Sequence, residues 1–240
     1  MKQMIFVHGD KGGVGKSTFA SLLTDYAWHQ DRPVALVEGD KTVRDVAPRF
    51  EDVEGVRVVD IDLARPDMSE DAIVGLFSAM EEFLSDSEII VINSPASSSA
   101  TLDRQADIIA PTVKEMGYRL VVTWMIDVGE DSARLAGQSE LCRMADRKVA
   151  VQNTRLKPVE SLPWRRHPVR KLWLESGGKE IVLPGLTERV ISKVREINQP
   201  YSQIVRERNN DLTIIERQAL KRWVETAWAE IAKMEDTTNE

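Results

Sequence analysis

The chain has 240 residues, 42% hydrophobic and 30% charged, and its 32 basic and 39 acidic residues leave a net charge of −7. These are ordinary values for a globular chain, and the negative balance excludes a protein that coats nucleic acid with its whole surface, though not a local basic patch. A single cysteine, Cys142, excludes an internal disulfide, a paired-thiol redox motif and a zinc knuckle.

No apolar run approaches the roughly 20 residues of a membrane span. The opening stretch, Met1 to Val7, is too short for a secretory signal, so the expected setting is a reducing cytoplasm. Along the chain, short apolar runs alternate with amphipathic stretches, the pattern of a parallel sheet covered by helices. The first strand is expected at Met4–His8 and the first helix at Ser17–His29. Strands follow at Pro33–Glu38 and Val56–Ile61. A helix after Ser69 carries Ile73, Leu76, Phe77, Met80 and Leu84 on one face. Then come a strand at Glu88–Asn93, a helix over Thr101–Glu115, a strand at Arg119–Ile126, a helix over Glu130–Met144 and a strand at Lys148–Gln152. Residues 153–185, with four prolines, read mainly as loop with short strands such as Glu180–Leu183. Two helices close the chain. The last opens on the capping-box pattern Thr213-Ile-Ile-Glu216 and runs to about Met234. Residues 235–240 read as a frayed tail. The expectation is one domain over residues 1–240: an α/β fold with a mainly parallel, twisted, helix-flanked sheet. Its motifs lie in 1–155 and a helical part in 186–235.

Glycine is scarce, at 13 residues, yet Gly9, Gly12, Gly13 and Gly15 fall within seven positions between the first strand and the first helix. That placement suits a phosphate-binding loop, whose backbone N–H groups turn toward phosphate oxygens. The following helix adds the partial positive charge of its N-terminus. Gly12, Gly13, Val14 and Gly15 would form the cradle. Lys16 would reach the β and γ phosphates, Ser17 would offer a hydroxyl to Mg²⁺, and Thr18 would bond the α phosphate. The bland alternative is a glycine turn with two solvated lysines. The strict spacing GxxxxGK[ST] is not met, because Asp10 stands at the first glycine position.

The run Lys11-Gly-Gly-Val-Gly-Lys-Ser-Thr18 instead resembles the deviant Walker A family of P-loop ATPases, the ParA/MinD group. That resemblance implies a P-loop fold, ATP and Mg²⁺ as ligands, slow hydrolysis and a homodimer formed around ATP. It casts Lys11 as the residue that crosses to the partner's nucleotide, acting like an arginine finger. Glu38 and Asp40 match the family's paired acidic residues after the second strand, with Asp40 helping to place the attacking water and the metal; a solvated strand end is the alternative. Asn93 stands where the family has the aspartate that holds a water on Mg²⁺. This implies weaker Mg²⁺ binding or slower turnover, unless Asp40 and Ser17 suffice for the metal. Asn153 matches an adenine-reading asparagine, or simply caps its strand, and its context disfavours GTP.

Residues 155–171 carry six basic groups against Glu160 alone. Arg165, Arg166, Arg170 and Lys171, interleaved with Trp164, His167 and Trp173, could contact non-specific DNA or an acidic partner. The alternative is a solvated loop with its tryptophans tucked into the fold. In the last helix, Lys221, Arg222 and Lys233 are countered by Glu225, Glu230, Glu235 and Asp236. The helix is therefore expected to pack on the core rather than on a membrane. The resemblance points to DNA or plasmid partition, positioning or conjugative mobilisation, with a protein partner that stimulates hydrolysis. The other reading is a nucleotide-state switch or scaffold with little turnover. An iron–sulfur or cluster-carrier relative would need cysteine pairs that this chain lacks.

Overall fold

The computed structural model describes residues 1–63, 69–208 and 210–235. Seven short strands form one sheet: β1 (Gln3–His8), β2 (Val34–Glu38), β3 (Val56–Asp60), β4 (Ile89–Asn93), β5 (Arg119–Ile126), β6 (Arg147–Asn153) and β7 (Lys179–Leu183). Their order is β3-β2-β4-β1-β5-β6-β7, and every neighbouring pair is parallel. The central strands β2 and β4 are buried along their whole length, as consecutive Val, Ile and Leu predict for strands covered on both faces. The edge strands β3 and β7 are only partly covered.

Alternate strand residues feed two cores. Ile5 and Val7 pack with α1 (Lys16–His29), α8 (Glu188–Arg195), α9 (Tyr201–Arg206) and α10 (Ile214–Glu235), through Phe19, Val194, Ile204 and Trp223. Met4 and Phe6 pack with the opposite layer: α2 (Ser69–Ala79), α3 (Ser99–Arg104), α4 (Ala106–Glu115), α5 (Glu130–Gln138), α6 (Glu140–Met144) and α7 (Pro168–Glu175).

Four expectations need correction. The helix expected over Thr101–Glu115 is two, broken at Gln105. That over Glu130–Met144 is broken at Ser139, whose hydroxyl accepts the Cys142 N–H at 3.2 Å and donates to Asp103 at 2.8 Å. A polar residue satisfied that way favours a cap over a helix interior. The proline-rich stretch 153–185 holds a helix, α7, beside the strand expected at Glu180–Leu183, which forms as β7. Pro168 is the first residue of α7, a position where its missing N–H costs nothing, and His167 accepts the Val169 N–H. Three helices, not two, close the chain, because Pro200 starts α9 as a separate element.

The capping box at the head of α10 forms as read: Thr213 N–H donates to Glu216 at 2.9 Å and Glu216 N–H to the Thr213 hydroxyl at 3.3 Å. Leu220, Trp223, Val224, Ala227 and Ile231 are buried against the sheet, and Trp223 Nε1 donates to the Pro184 carbonyl at 2.7 Å. Among the described residues, no helix is long and apolar enough to cross a membrane. The tail at 236–240, with Asp236, lies outside the described residues.

Candidate nucleotide site

The chain reverses its direction of travel across the sheet at β1, and at such a point the strand ends splay to leave a crevice. Here the crevice is a cavity of about 570 Å³, within the usual size range of ligand sites. Gly12, Gly13, Gly15, Lys16, Ser17, Thr18, Asp40, Asn93 and Asn153 all line it, so one cavity gathers residues drawn from four separate segments of the chain.

The loop between β1 and α1 takes its shape from Gly13 and Gly15, both left-handed, with φ of 76° and 104°. A side chain at Gly15 would also meet Asn153 Nδ2 at 2.6 Å. Val14 is buried beneath the loop, and its carbonyl accepts a 2.8 Å bond from Asn153 Nδ2. Asn153 Oδ1 accepts the Arg155 N–H at 3.0 Å. Asn153 thus braces the loop, with one N–H and one lone pair to spare.

Lys16 is buried at the head of α1, and its Nζ donates to the Lys11 carbonyl at 2.8 Å. Burial lowers its pKa from 10.5 to about 8, against the pull of Asp10 and Asp45. Ser17 Oγ donates to Asp45 Oδ2 at 3.1 Å. Asp45 is the functional candidate that the sequence reading missed: no spacing rule marks it, and only the fold of residues 40–49 brings it to Ser17. Asp40 lines the same cavity, but its Oδ1 accepts the N–H groups of Thr42 and Val43 at 2.9 and 3.0 Å, closing a local turn.

Glu38 is no solvated strand end. It is fully buried, with Oε2 accepting the Val46 and Ala47 N–H groups at 2.8 and 3.2 Å. Oε1 accepts Asn93 Nδ2 at 2.6 Å. Burial raises its pKa, against the pull of those three donors. Parallel registry places Val7, Asn93 and Glu38 side by side on β1, β4 and β2. Gly39 donates its N–H to the Asn93 carbonyl at 3.0 Å, so close that a Cβ there would lie 2.5 Å from that oxygen. Asn93 Oδ1 and Ser94 Oγ are buried in this wall with no partner among the described residues.

The donor set fits a magnesium nucleotide. Glycine N–H groups and Lys16 offer charge to phosphate, while Ser17, Asp45 and the unpartnered Asn93 Oδ1 are the hard oxygen atoms Mg²⁺ takes, directly or through water. The cavity continues past the loop along Arg155, Leu183, Pro184, Leu186, Ile191 and Arg195. The part of the chain that carries no recognisable motif thus supplies one wall of the site.

Lys11 stands apart. Its Nζ reaches Asp131 of α5 at 3.3 Å, with both side chains about half exposed. The basic segment is divided. Glu180 on β7 takes a bidentate pair from Arg170 at 2.7 and 2.8 Å, Arg165 at 3.0 Å and Trp164 Nε1 at 3.1 Å. Although burial raises the Glu180 carboxyl, Arg170 and Trp164 hold it below the usual range. Trp164 and Trp173 are buried edge to face. Arg166 borders a separate surface pocket, and Lys171 reaches only Glu175, at 3.8 Å. Cys142 is buried, which pushes its thiol up to about 12, as for an inert core residue.

No protein-family model matches the chain. It is 24% identical over 224 residues to Protein MobD of Acidithiobacillus ferrooxidans, covering 92% of this chain and 93% of that protein. Among solved structures, two crystal forms of FtsY from Mycoplasma mycoides align at TM-scores of 0.47 and 0.48, with 13% and 14% identity. Each alignment covers 76% of this chain, and this chain spans 59% and 60% of theirs. A nucleotide-binding protein from Archaeoglobus fulgidus, in complex with ADP, aligns at a TM-score of 0.44 with 15% identity, over 82% of this chain and 86% of that one.

Proposed function

We propose that this chain binds Mg²⁺–ATP, dimerises around it and hydrolyses it slowly. The observation that carries the reading is the convergence of Lys16, Ser17, Asp45 and Asn93 on one crevice behind a left-handed glycine loop. When bound, Mg²⁺ would neutralise charge on the terminal phosphates. The loop N–H groups and Lys16 orient the phosphates, and the partial positive charge at the head of α1 favours their negative charge. Asp40, on the same wall, is the group that orients the attacking water. Lys11 leaves Asp131 and reaches the partner's nucleotide, where its charge meets the charge that develops on the transferred group.

The resemblance of the glycine loop to the ParA/MinD group supports a setting in DNA mobilisation or partition, and the similarity to Protein MobD extends over 92% of this chain. Arg166 and Lys171 are the segment's best-placed contacts for DNA backbone, since Arg165 and Arg170 are occupied by Glu180.

Asn93 favours a second reading, a nucleotide-state switch with little turnover, because an amide leaves the strand end one negative charge short of a carboxylate. Sedimentation of the chain with ATP, ADP and no nucleotide, run beside phosphate release with and without DNA, separates the two. ATP-dependent dimers with turnover above background support the ATPase. ATP-dependent dimers without turnover support the switch. A chain that binds no nucleotide removes both.

A further inference from the structure

Glu38 and Asn93 occupy facing positions on neighbouring strands, and their hydrogen bonds leave little freedom. An ionised carboxylate only accepts, so the Asn93 atom that faces Glu38 is its NH₂ group. The amide's other end, Oδ1, is thereby fixed on the opposite side, where it is buried with no partner among the described residues, on a residue that lines the cavity. A buried carbonyl oxygen left unbonded is destabilising unless something outside the chain meets it. Glu38's second oxygen is occupied by the Val46 and Ala47 N–H groups, immediately after Asp45.

We infer that Glu38 is the positioning residue that makes Asn93 an acceptor toward the metal side of the nucleotide site. The pair acts as a unit carrying one negative charge, with the charge on β2 and the acceptor on β4. This rests on the Mg²⁺–nucleotide reading above. The hydrogen-bond arithmetic makes a specific demand on variants. In Glu38→Gln, the new amide oxygen must face the Val46 and Ala47 N–H groups, so its NH₂ faces Asn93. Two NH₂ groups cannot bond each other. The Asn93 amide therefore turns over and presents donors to the cation side. In the double variant Glu38→Gln/Asn93→Asp, the new NH₂ meets a carboxylate. The network is remade with the charge moved one strand over, and an acceptor faces the cavity again.

The test is ADP affinity measured by calorimetry in EDTA and in excess Mg²⁺, with thermal melting as the check on folding. Wild type is expected to bind ADP more tightly with Mg²⁺. Glu38→Gln is expected to keep the EDTA affinity within about twofold and to lose most of the Mg²⁺ enhancement, on the order of tenfold. The double variant is expected to recover it. A purely structural role for Glu38 would instead shift the melting temperature and both affinities together. An undiminished Mg²⁺ enhancement in Glu38→Gln overturns the inference. So does a double variant that fails to fold or to recover the enhancement, even where the single variant is too unstable to assay. Wild type that binds no ADP removes the nucleotide reading itself, a different and separately visible failure.

Discussion

Lys16 holds its positive charge where water barely reaches, with one loop carbonyl as its hydrogen-bond partner. On the nucleotide reading proposed above, such a charge is poorly compensated until a phosphate arrives, which would make it a binding group rather than a structural one. A hydrogen bond to a charged group contributes about 1.5–3 kcal/mol. Lys16→Ala should therefore weaken ATP and ADP binding by about 10–100-fold in calorimetry, with melting temperature held or raised. Asp25 is a buried charge of the opposite sign. Its two oxygens accept from Ser202 N–H at 2.8 Å and Ser202 Oγ at 2.6 Å, and burial raises its pKa from 3.8 to about 6 despite those bonds. Between these two values the folded chain holds a proton that the unfolded chain has released, so this residue's contribution to stability falls as pH rises through about 6. Asp25→Asn can accept the Ser202 N–H and donate to the hydroxyl, which removes the titration and keeps the contact. Denaturation at several pH values should show wild type losing about 1 kcal/mol relative to the variant between pH 5 and pH 7. A constant difference across that range would refute the assignment.

At the scale of elements, the segment after β2 joins the two ends of the chain. Arg49 is buried and donates to the carbonyls of Val194, Ile197 and Gln199 at 2.8–2.9 Å, with its guanidinium 4.8 Å from the Tyr201 ring centre. The three carbonyls lie at the C-terminal end of α8 and in the turn to α9, where Val194 and Ile197 also accept the backbone N–H groups of Ile197 and Gln199, so the guanidinium is a second donor to both. Arg49→Leu removes three charge-assisted hydrogen bonds from this turn and should cost about 3 kcal/mol in denaturant unfolding. Because Arg49 and Arg195 border the same cavity, it should also loosen nucleotide binding. A loss within about 0.5 kcal/mol would mean water replaces the guanidinium. All seven strands were legible within a residue at each end, because an apolar run between turn signals has one reading. The Glu180–Leu183 run was legible as a strand, but not as the edge of the main sheet. The helix breaks at Gln105 and Ser139 were not legible, since the apolar period runs on through both. Ser139 declares itself as a cap only through Asp103, 36 residues away in sequence.

For the molecule as a whole, exposed cations set what its surface can meet. Lys11 is tied to Asp131 by an exposed ion pair, and such pairs contribute little because water and salt screen them. Release is therefore cheap compared with what a partner's phosphate offers. Lys11→Ala should reduce ATP-dependent dimerisation in sedimentation while leaving ADP binding by the monomer within a fewfold of wild type. Unchanged dimers and unchanged turnover would end the trans role for Lys11. The basic segment calls for a different design than the sequence alone suggested. Neutralising Arg165 and Arg170 would break the Glu180 cluster and confound binding with stability. Arg166→Ala/Lys171→Ala leaves that cluster intact, and should weaken DNA retention and flatten its salt dependence without moving the melting temperature. Unaltered retention would return the segment to a structural role.

The sequence by itself determined the parallel α/β layering, the glycine-rich loop between β1 and α1 and the capping box of α10. Each is a local matter of period, glycine conformation or three-residue spacing. Only the tertiary structure decided which carboxylate answers Ser17, why an asparagine can stand at the end of β4, and which arginines remain free. Those answers depend on side chains brought together from distant strands, and the hydrogen-bond demands of one buried group are visible only beside its neighbour.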